Sequence, residues 1–346
     1  MTADAGAKLA IAALRAVVAG QVLPADEARA LFDVIMDGAV ETPLICGLLG
    51  ALATRGEAVS EVVAAAEAMR ARMIRVRLPA GVTSAIDTCG TGGDGKPTFN
   101  ISTTAAIVAA AAGATVAKHG NRSHVRPSGS AEGVAALGIS ADAPLEAIER
   151  SLAEARIAFL FAPRLHPAMK HAAPARVALG IRTIFNLLGP LTNPASVRRQ
   201  LVGVPRPDLV PLMAEALRRL GSERAIVVHG ECGVCDLTLD GPTRVAELDR
   251  GVIRERILRP AEFGLRPAPL AETFVNSAQE SAAVAQRVFA GEPGPARDTV
   301  AFNAGAALWS AGVAPGIGEG VELAQAAIAD GRARETWMCW RQICPA

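Results

Sequence analysis

Asp87-Thr-Cys-Gly-Thr-Gly-Gly-Asp-Gly95 and Lys118-His-Gly-Asn-Arg122 flank one short Ala-rich stretch, and Thr98-Phe-Asn-Ile-Ser-Thr103 leads from the first loop into Thr104 to Ala112. Val82 to Asp87 reads as a short strand and Ala114 to Lys118 as a second, so both loops sit at strand ends of a βαβ unit. Open α/β sheets bind their ligands at that edge. A loop built on Gly90, Gly92, Gly93 and Gly95 lets backbone N–H groups come close to phosphate oxygens, and the adjoining helix N-terminus adds unpaired donors and the positive end of a dipole. The layout suits a phosphorylated sugar. It is not the dinucleotide fingerprint, because Gly90-Thr-Gly-Gly-Asp-Gly95 lacks the right third glycine and no acidic residue follows a second strand. Nor is it a P-loop, because no Lys-Ser/Thr follows the last glycine.

Before this unit the pattern is helical. Leu9, Ile11, Leu14 and Val18 recur at helical spacing, Pro24 opens a second helix through Leu31, Val34 and Ile35, Thr42-Pro43 starts a third, and Ser60-Glu-Val-Val starts a fourth that ends near Met73. After Pro79-Ala-Gly81 the chain alternates strand and helix signals, with strands at Ala225 to His229 and in short segments from Leu237 to Ile257. Helical patterns resume at Ser277 to Ala290 and Asn303 to Ala311.

With 346 residues and 51% hydrophobic content the chain is long enough for two domains or one large α/β domain with a sizeable core. The net charge of +1 and an aromatic content of 3% without Tyr argue against a nucleic-acid footprint or base-stacking platforms. No apolar run approaches the roughly 20 residues that a membrane helix requires, so a cytoplasmic enzyme is expected. The six cysteines do not form a disulfide scaffold in a chain of this length; Cys46 and Cys89 read as small apolar residues of a reducing compartment. Cys232-Gly-Val-Cys235 has ligand-like spacing, but a structural zinc site needs a second such pair, and Cys339 and Cys344 lie in an unusual tail.

Several of these pieces together resemble the anthranilate phosphoribosyltransferase family, of the class that includes pyrimidine nucleoside phosphorylases. They are Gly90 to Gly95, Thr98 to Thr103, Lys118 to Arg122, Ser128-Gly-Ser130, Phe161-Ala-Pro163 with His166-Pro-Ala-Met169, and Arg182-Thr-Ile-Phe-Asn-Leu-Leu-Gly-Pro-Leu-Thr-Asn-Pro194. The resemblance, from about residue 8 to about residue 335, implies an α/β fold. A small helical domain, residues 1–77 joined in space by about 165–192, is hinged to a larger α/β domain of residues 78–164 and 193–346 with a central, mostly parallel sheet. It also implies a homodimer through the helical domain, Mg2+ as cofactor with one or two ions, and transfer of a 5-phosphoribosyl group from phosphoribosyl pyrophosphate to anthranilate.

Carried onto this chain, the resemblance places the donor on Gly90, Gly93, Asp94, Thr98, Asn100, Ile101, Ser102, Thr103, Lys118, Gly120, Asn121, Arg126 and Ser130, with Ser102 and Asp236 at the metal. Anthranilate would meet Gly90, His119, Asn121, His166, Arg176, Gly189 and Pro190, and Lys118, Asp94 and Arg176 would carry catalysis. A guanidinium fork at Arg176 matches a carboxylate bidentately. Each group also has a plainer role open to it. Asp94 can close a turn, Ser102 and Thr103 can cap the helix, His166 can be a core histidine, and Arg176 can pair with a structural carboxylate.

Two departures from the family pattern stand out. Cys235-Asp236 replaces an adjacent Asp-Glu pair, which puts the second metal position in question unless Glu231 or Asp240 reaches it. Ser123-His124-Val125-Arg126 replaces a segment with two more hydroxyls, and Arg126 is a candidate to neutralise pyrophosphate in place of the lost carboxylate-held metal. A related phosphoribosyl or nucleoside transferase with another donor or acceptor, and a non-catalytic paralogue, stay open as alternative readings.

Overall fold

The structure, a computed structural model, describes residues 3–122 and 128–346. Four helices come first: α1 (Ala3–Val18), α2 (Ala25–Met36), α3 (Thr42–Arg55) and α4 (Val59–Arg70). The apolar spacing that announces them is also what they bury. In α2 the inward set is Ala28, Leu31, Phe32, Ile35 and their neighbours, and Pro43 begins α3 where its missing N–H costs nothing. The remainder is an α/β domain with β1 (Ala85–Asp87), α5 (Ile101–Ala111), β2 (Thr115–Gly120), α6 (Ser130–Ala136), α7 (Leu145–Glu154), β3 (Ile157–Phe161), α8 (Ala162–Leu165), α9 (Ala173–Leu179), β4 (Arg199–Gly203), α10 (Leu209–Arg219) and β5 (Arg224–Gly230). It continues through β6 (Thr243–Asp249), β7 (Val252–Leu258), α11 (Ala278–Phe289), α12 (Pro295–Ala311), α13 (Ile317–Ala329) and α14 (Arg332–Ile343).

The seven strands form one sheet in the order β3-β2-β1-β4-β5-β6-β7; the first five are parallel and β6 and β7 are antiparallel. The parallel strands are almost continuously buried because both of their faces are covered, whereas β7 is the edge and carries Arg254, Glu255 and Arg256, charges that discourage further pairing. One core lies between α5, α12 and one sheet face. The other runs without a break from the α1–α4 bundle, through Ala172, Ala175, Phe185, Leu188 and Leu191, onto Val202, Met213, Leu217 and Val227 on the opposite face.

The strand expected over Val82 to Asp87 is only three residues long, and β2 extends two residues further than expected, so that His119 and Gly120 belong to the strand. The C-terminal tail, unaccounted for by sequence, is the helix α14. Its Trp340 is 1% exposed, Trp337 Nε1 donates to Leu137 O at 3.0 Å, and the Cys344 carbonyl accepts from Ser140 N at 2.8 Å. The tail thus backs the residues that follow α6 and packs behind α5. Trp340→Ala is expected to lower unfolding stability by about 3–5 kcal/mol through the cavity it leaves, while Arg334→Ala, on the exposed face of the same helix, changes it by less than about 0.5 kcal/mol. Urea denaturation of both variants checks this, and a loss below about 1 kcal/mol for Trp340→Ala would show that the tail is peripheral.

Candidate active site

The strand order reverses between β1 and β4: from β1 the chain passes to β2 on one side, and from β4 to β5 on the other. Such a switch point opens a crevice at the carboxyl ends of the strands because neighbouring connections leave in opposite directions. The crevice here is lined by Thr88, Gly90 and Gly92 after β1, by Ser102 and Ser130 at the starts of α5 and α6, and by Gly203, Cys235, Asp236 and Asn303 on the far wall. Backbones meet closely at its floor. Thr91 N donates to Gly203 O at 2.9 Å, and a Cβ on Gly203 would lie 1.6 Å from the Cys235 carbonyl oxygen. Only glycine fits position 203.

Lys118 is 1% exposed and directs its ammonium at Thr88 O (3.2 Å), Thr88 Oγ1 (3.3 Å) and Ser102 Oγ (3.2 Å), which matches its three donors. Burial holds its pKa below the usual lysine range, while Asp87 and Asp236 act in the opposite sense as counter-charges. The lysine is therefore a charge beneath the crevice floor, reaching it through two hydroxyls. Asp87, also fully buried, accepts from His119 N (3.0 Å) and from Asn193 Nδ2 (2.8 Å), and burial pushes its carboxyl up to about 6.

A chain of imidazoles runs beside this floor. His119 Nδ1 lies 2.8 Å from Gly189 O, and its Nε2 lies 3.1 Å from His166 Nε2. A carbonyl can only accept, so Nδ1 of His119 carries the proton, Nε2 accepts from His166, and the buried Nδ1 of His166 remains an acceptor without a partner among the described residues. Burial lowers His119 to about 4 and, with His119 adding a smaller effect, His166 to about 3, so both rings are neutral. Asp87, Cys89 and His119 also stand within metal-ligand distance of one another, but the carboxylate and both ring nitrogens are already spent on these hydrogen bonds.

Gly90, Ser102, Ser130 and Asp236 meet in the crevice, and Lys118 and Gly120 lie directly behind it. Gly93 takes φ +89° and Asp94 does two things: its Oδ1 closes a turn with Lys96 N (3.2 Å) and its Oδ2 accepts from Cys235 N (2.9 Å) across the crevice wall. Asn100 precedes α5 and spends its side chain on Ser128, Ser281 and Gly129 O, fixing the neighbouring loop rather than facing outward. Ile101 is in the core with its N–H on Phe99 O, Thr103 is wholly buried, and Thr98 is buried in a bridge with Phe274, the hydroxyls of both threonines having no hydrogen-bond partner among the described residues. Neither Ser102 nor Thr103 caps α5, since both lie inside its first turn.

Pro190 is buried with its carbonyl held by Gln200, Asn121 is exposed, and Arg176 lies on α9 with its guanidinium 6.0 Å from the Phe185 ring. Glu231 faces Arg244 (3.8 Å) and Asp240 accepts from Leu270 N. Arg126 and His124 lie outside the described residues. The sequence reading missed Thr88, Asp87, Asn193, Arg182 and Asn303. The last is the one amide in an Ala-rich helix, and its Oδ1 and Nδ2 clamp the N–H and C=O of Leu237, next to Asp236; an amide within the apolar run from Val300 to Leu308 was the available signal.

Two family models match: the helical bundle domain of the glycosyl transferase family over residues 11–73 and its α/β domain over residues 82–334. Anthranilate phosphoribosyltransferase of Nitrosomonas europaea is 48% identical over 313 residues, 90% of this chain and 92% of that protein. The crystal structure of the Thermus thermophilus enzyme of that name superposes with TM-score 0.89 at 44% identity, covering 96% of this chain and 98% of the other. Saccharomyces cerevisiae anthranilate phosphoribosyltransferase, at 25% identity and TM-score 0.86, has been solved in complex with PRPP and Mg, covering 96% and 97% of the two chains, and with 4-fluoroanthranilate, covering 98% of each.

The buried imidazoles and Asp87 give stability a definite pH slope. His119 and His166 gain protons on unfolding at any pH between their lowered native values and the ordinary 6.5, so both favour the folded state more as pH rises towards 6.5. Asp87, protonated in the native state up to about 6, opposes them by one proton between about 4 and 6. These three groups together contribute a climb in unfolding free energy of about 1.4 kcal/mol per pH unit from roughly pH 4.5 to 6, from which the raised carboxyls of Glu57 and Glu247 subtract. His166→Asn should flatten that climb in urea titrations across the range, and an unchanged slope would contradict the neutral pair.

Proposed function

Since the chain belongs to the anthranilate phosphoribosyltransferase family, we propose that its switch-point crevice holds phosphoribosyl pyrophosphate and passes the 5-phosphoribosyl group to the amine of anthranilate, releasing pyrophosphate for tryptophan biosynthesis. One observation carries this reading to the level of residues. The glycine loop, the start of α5 and a buried lysine converge on Ser102 and Thr88, opposite the carboxylate of Asp236.

The reaction breaks the bond from the anomeric carbon to pyrophosphate and forms one to nitrogen. The arylamine offers a free lone pair at neutral pH and sheds one proton after attack, so no strong base is required. Charge on the departing pyrophosphate is the harder problem, and preorganised N–H groups with a cation behind them are suited to it. The N–H groups of the first turn of α5 and of the glycine loop supply the donors, and Lys118 supplies charge through Ser102 and Thr88. Arg176 would take the anthranilate carboxylate, with His119, His166, Gly189 and Pro190 shaping the approach. Holding both partners in line contributes several kcal/mol more.

Magnesium fits the donor set. Ser102 and Asp236 offer oxygen only and leave most positions to water and phosphate oxygens, as this ion prefers. With Glu231 and Asp240 engaged elsewhere, the reading is a single protein-anchored ion. When bound it supplies Lewis-acid stabilisation of the leaving group. A homodimer through the helical domain belongs to the same reading, supported by the exposed Ile11, Val18 and Val22. A cytoplasmic location is supported by the finding that no helix among the described residues is long and apolar enough to cross a membrane.

Loss of anthranilate fluorescence on mixing purified protein with phosphoribosyl pyrophosphate and magnesium tests the activity, and its absence with folded protein would refute it. Arg176→Ala is expected to raise the KM for anthranilate roughly 10- to 100-fold, with a much smaller change for the donor. Equal changes for both substrates would remove Arg176 from the acceptor site.

A further inference from the structure

Arg182 opens the Arg182 to Pro194 motif, and the structure sets it against the donor loop. Its Nη1 donates to Gly92 O at 2.8 Å, and a Cβ on Gly93 would lie 1.5 Å from that nitrogen, so the guanidinium fills the space that a side chain at position 93 would need. Its Nη2 is buried and has no hydrogen-bond partner among the described residues. The Gly92–Asp94 turn is thus gripped from one side by a cation and from the other through Asp94 on Cys235 N. Burial works against the charge of Arg182, which also lies in the field of Cys235, Arg206, Glu57 and Asp94.

Cys235 is the position where the family resemblance calls for a carboxylate. A carboxylate there would neutralise Arg182; a thiol at neutral pH does not. The glycine turn consequently lies over a positive charge that Glu57 and Asp94 offset in part and position 235 does not, at the wall of the crevice that also carries Asp236. Such a charge acts on an anion above the turn with little screening, because the groups between them are backbone and the site is partly closed to water.

We infer that Arg182 is the positioning and charge-balancing residue for the donor's pyrophosphate, taking over electrostatic work that a second carboxylate-held metal ion would otherwise do. This rests on the reading of the crevice as the pyrophosphate site with one protein-anchored magnesium. Arg182 holds the turn in place with Nη1 and leaves its remaining charge facing the phosphates across Gly93. The departure at position 235 and the unpaired guanidinium arm are then two parts of one arrangement.

Isothermal titration with inorganic pyrophosphate, in EDTA and in saturating magnesium, tests this without turnover. In EDTA, Arg182→Gln is expected to weaken pyrophosphate roughly 10- to 100-fold, the range for a lost hydrogen bond or charge contact to an ionised group. Saturating magnesium should recover most of that loss, and Arg182→Lys should retain most of the affinity in EDTA. Cys235→Asp should weaken metal-free binding while Cys235→Asn does not. A merely structural arginine predicts the same loss from Arg182→Gln at either magnesium level and no retention in Arg182→Lys, and that result would overturn the inference. Should Arg182→Gln fail to fold, identical behaviour of the Asp and Asn variants at 235 overturns it equally. If wild-type protein binds no pyrophosphate under either condition, the donor-site reading falls instead, a different outcome from wild-type binding that is indifferent to both positions.

Discussion

Asp87 is a carboxylate with no exposure to water, and the crevice is assembled around it. One oxygen receives the N–H of His119 from the adjacent strand and the other receives the amide of Asn193, which also donates to Ala117 O and takes the N–H of Ala195. Lys118 supplies the opposite charge from the neighbouring position on β2. An ionisable group so deeply buried is tolerated only when its hydrogen bonds are filled and a counter-charge is near. Satisfying Asp87 therefore locks three separate segments into one register: the end of β1, the end of β2, and the residues that lead into β4.

From that register the rest of the site follows. With β1 and β2 fixed, Lys118 comes beneath Thr88 and Ser102, and His119 is turned towards Gly189 and His166. With the entry to β4 fixed, the backbone after β1 comes into contact with Gly203, and the segment after β5 comes into contact with Gly203 in turn. The crevice is a place where three main chains approach without side chains between them, which leaves polar backbone and a few hydroxyls facing a prospective phosphate. The same closeness makes position 235 consequential, since its own N–H is held by Asp94 and its side chain lies in the field of Arg182.

The lost carboxylate at position 235 is thus read differently once the structure is known. By sequence it removes a metal ligand and invites compensation from Arg126, which lies outside the described residues, or from Glu231 or Asp240, which are engaged with Arg244 and Leu270. In three dimensions the nearest consequence is on Arg182, far earlier in the chain and against the turn at Gly93.

What the sequence determined by itself was local. The four-helix start, the βαβ unit and the glycine loop at a strand end are all readable because periodicity, turn chemistry and short spacing are properties of neighbouring residues, and Lys118, Ser102 and Asp236 as polar members of the site followed from the family resemblance. The motif stretch also located His119 and His166, although not that they touch. Tertiary structure alone decided which face of each element is turned where. It put Ile101 and Thr103 into the core while Ser102, between them, faces the crevice, because successive residues on a helix point about 100° apart and only packing chooses the buried arc. It recruited Arg182, Asn193 and Asn303 from distant segments, and made a buttress of the tail through Trp337 and Trp340. Those contacts form when the chain closes on itself, so no stretch of sequence carries them.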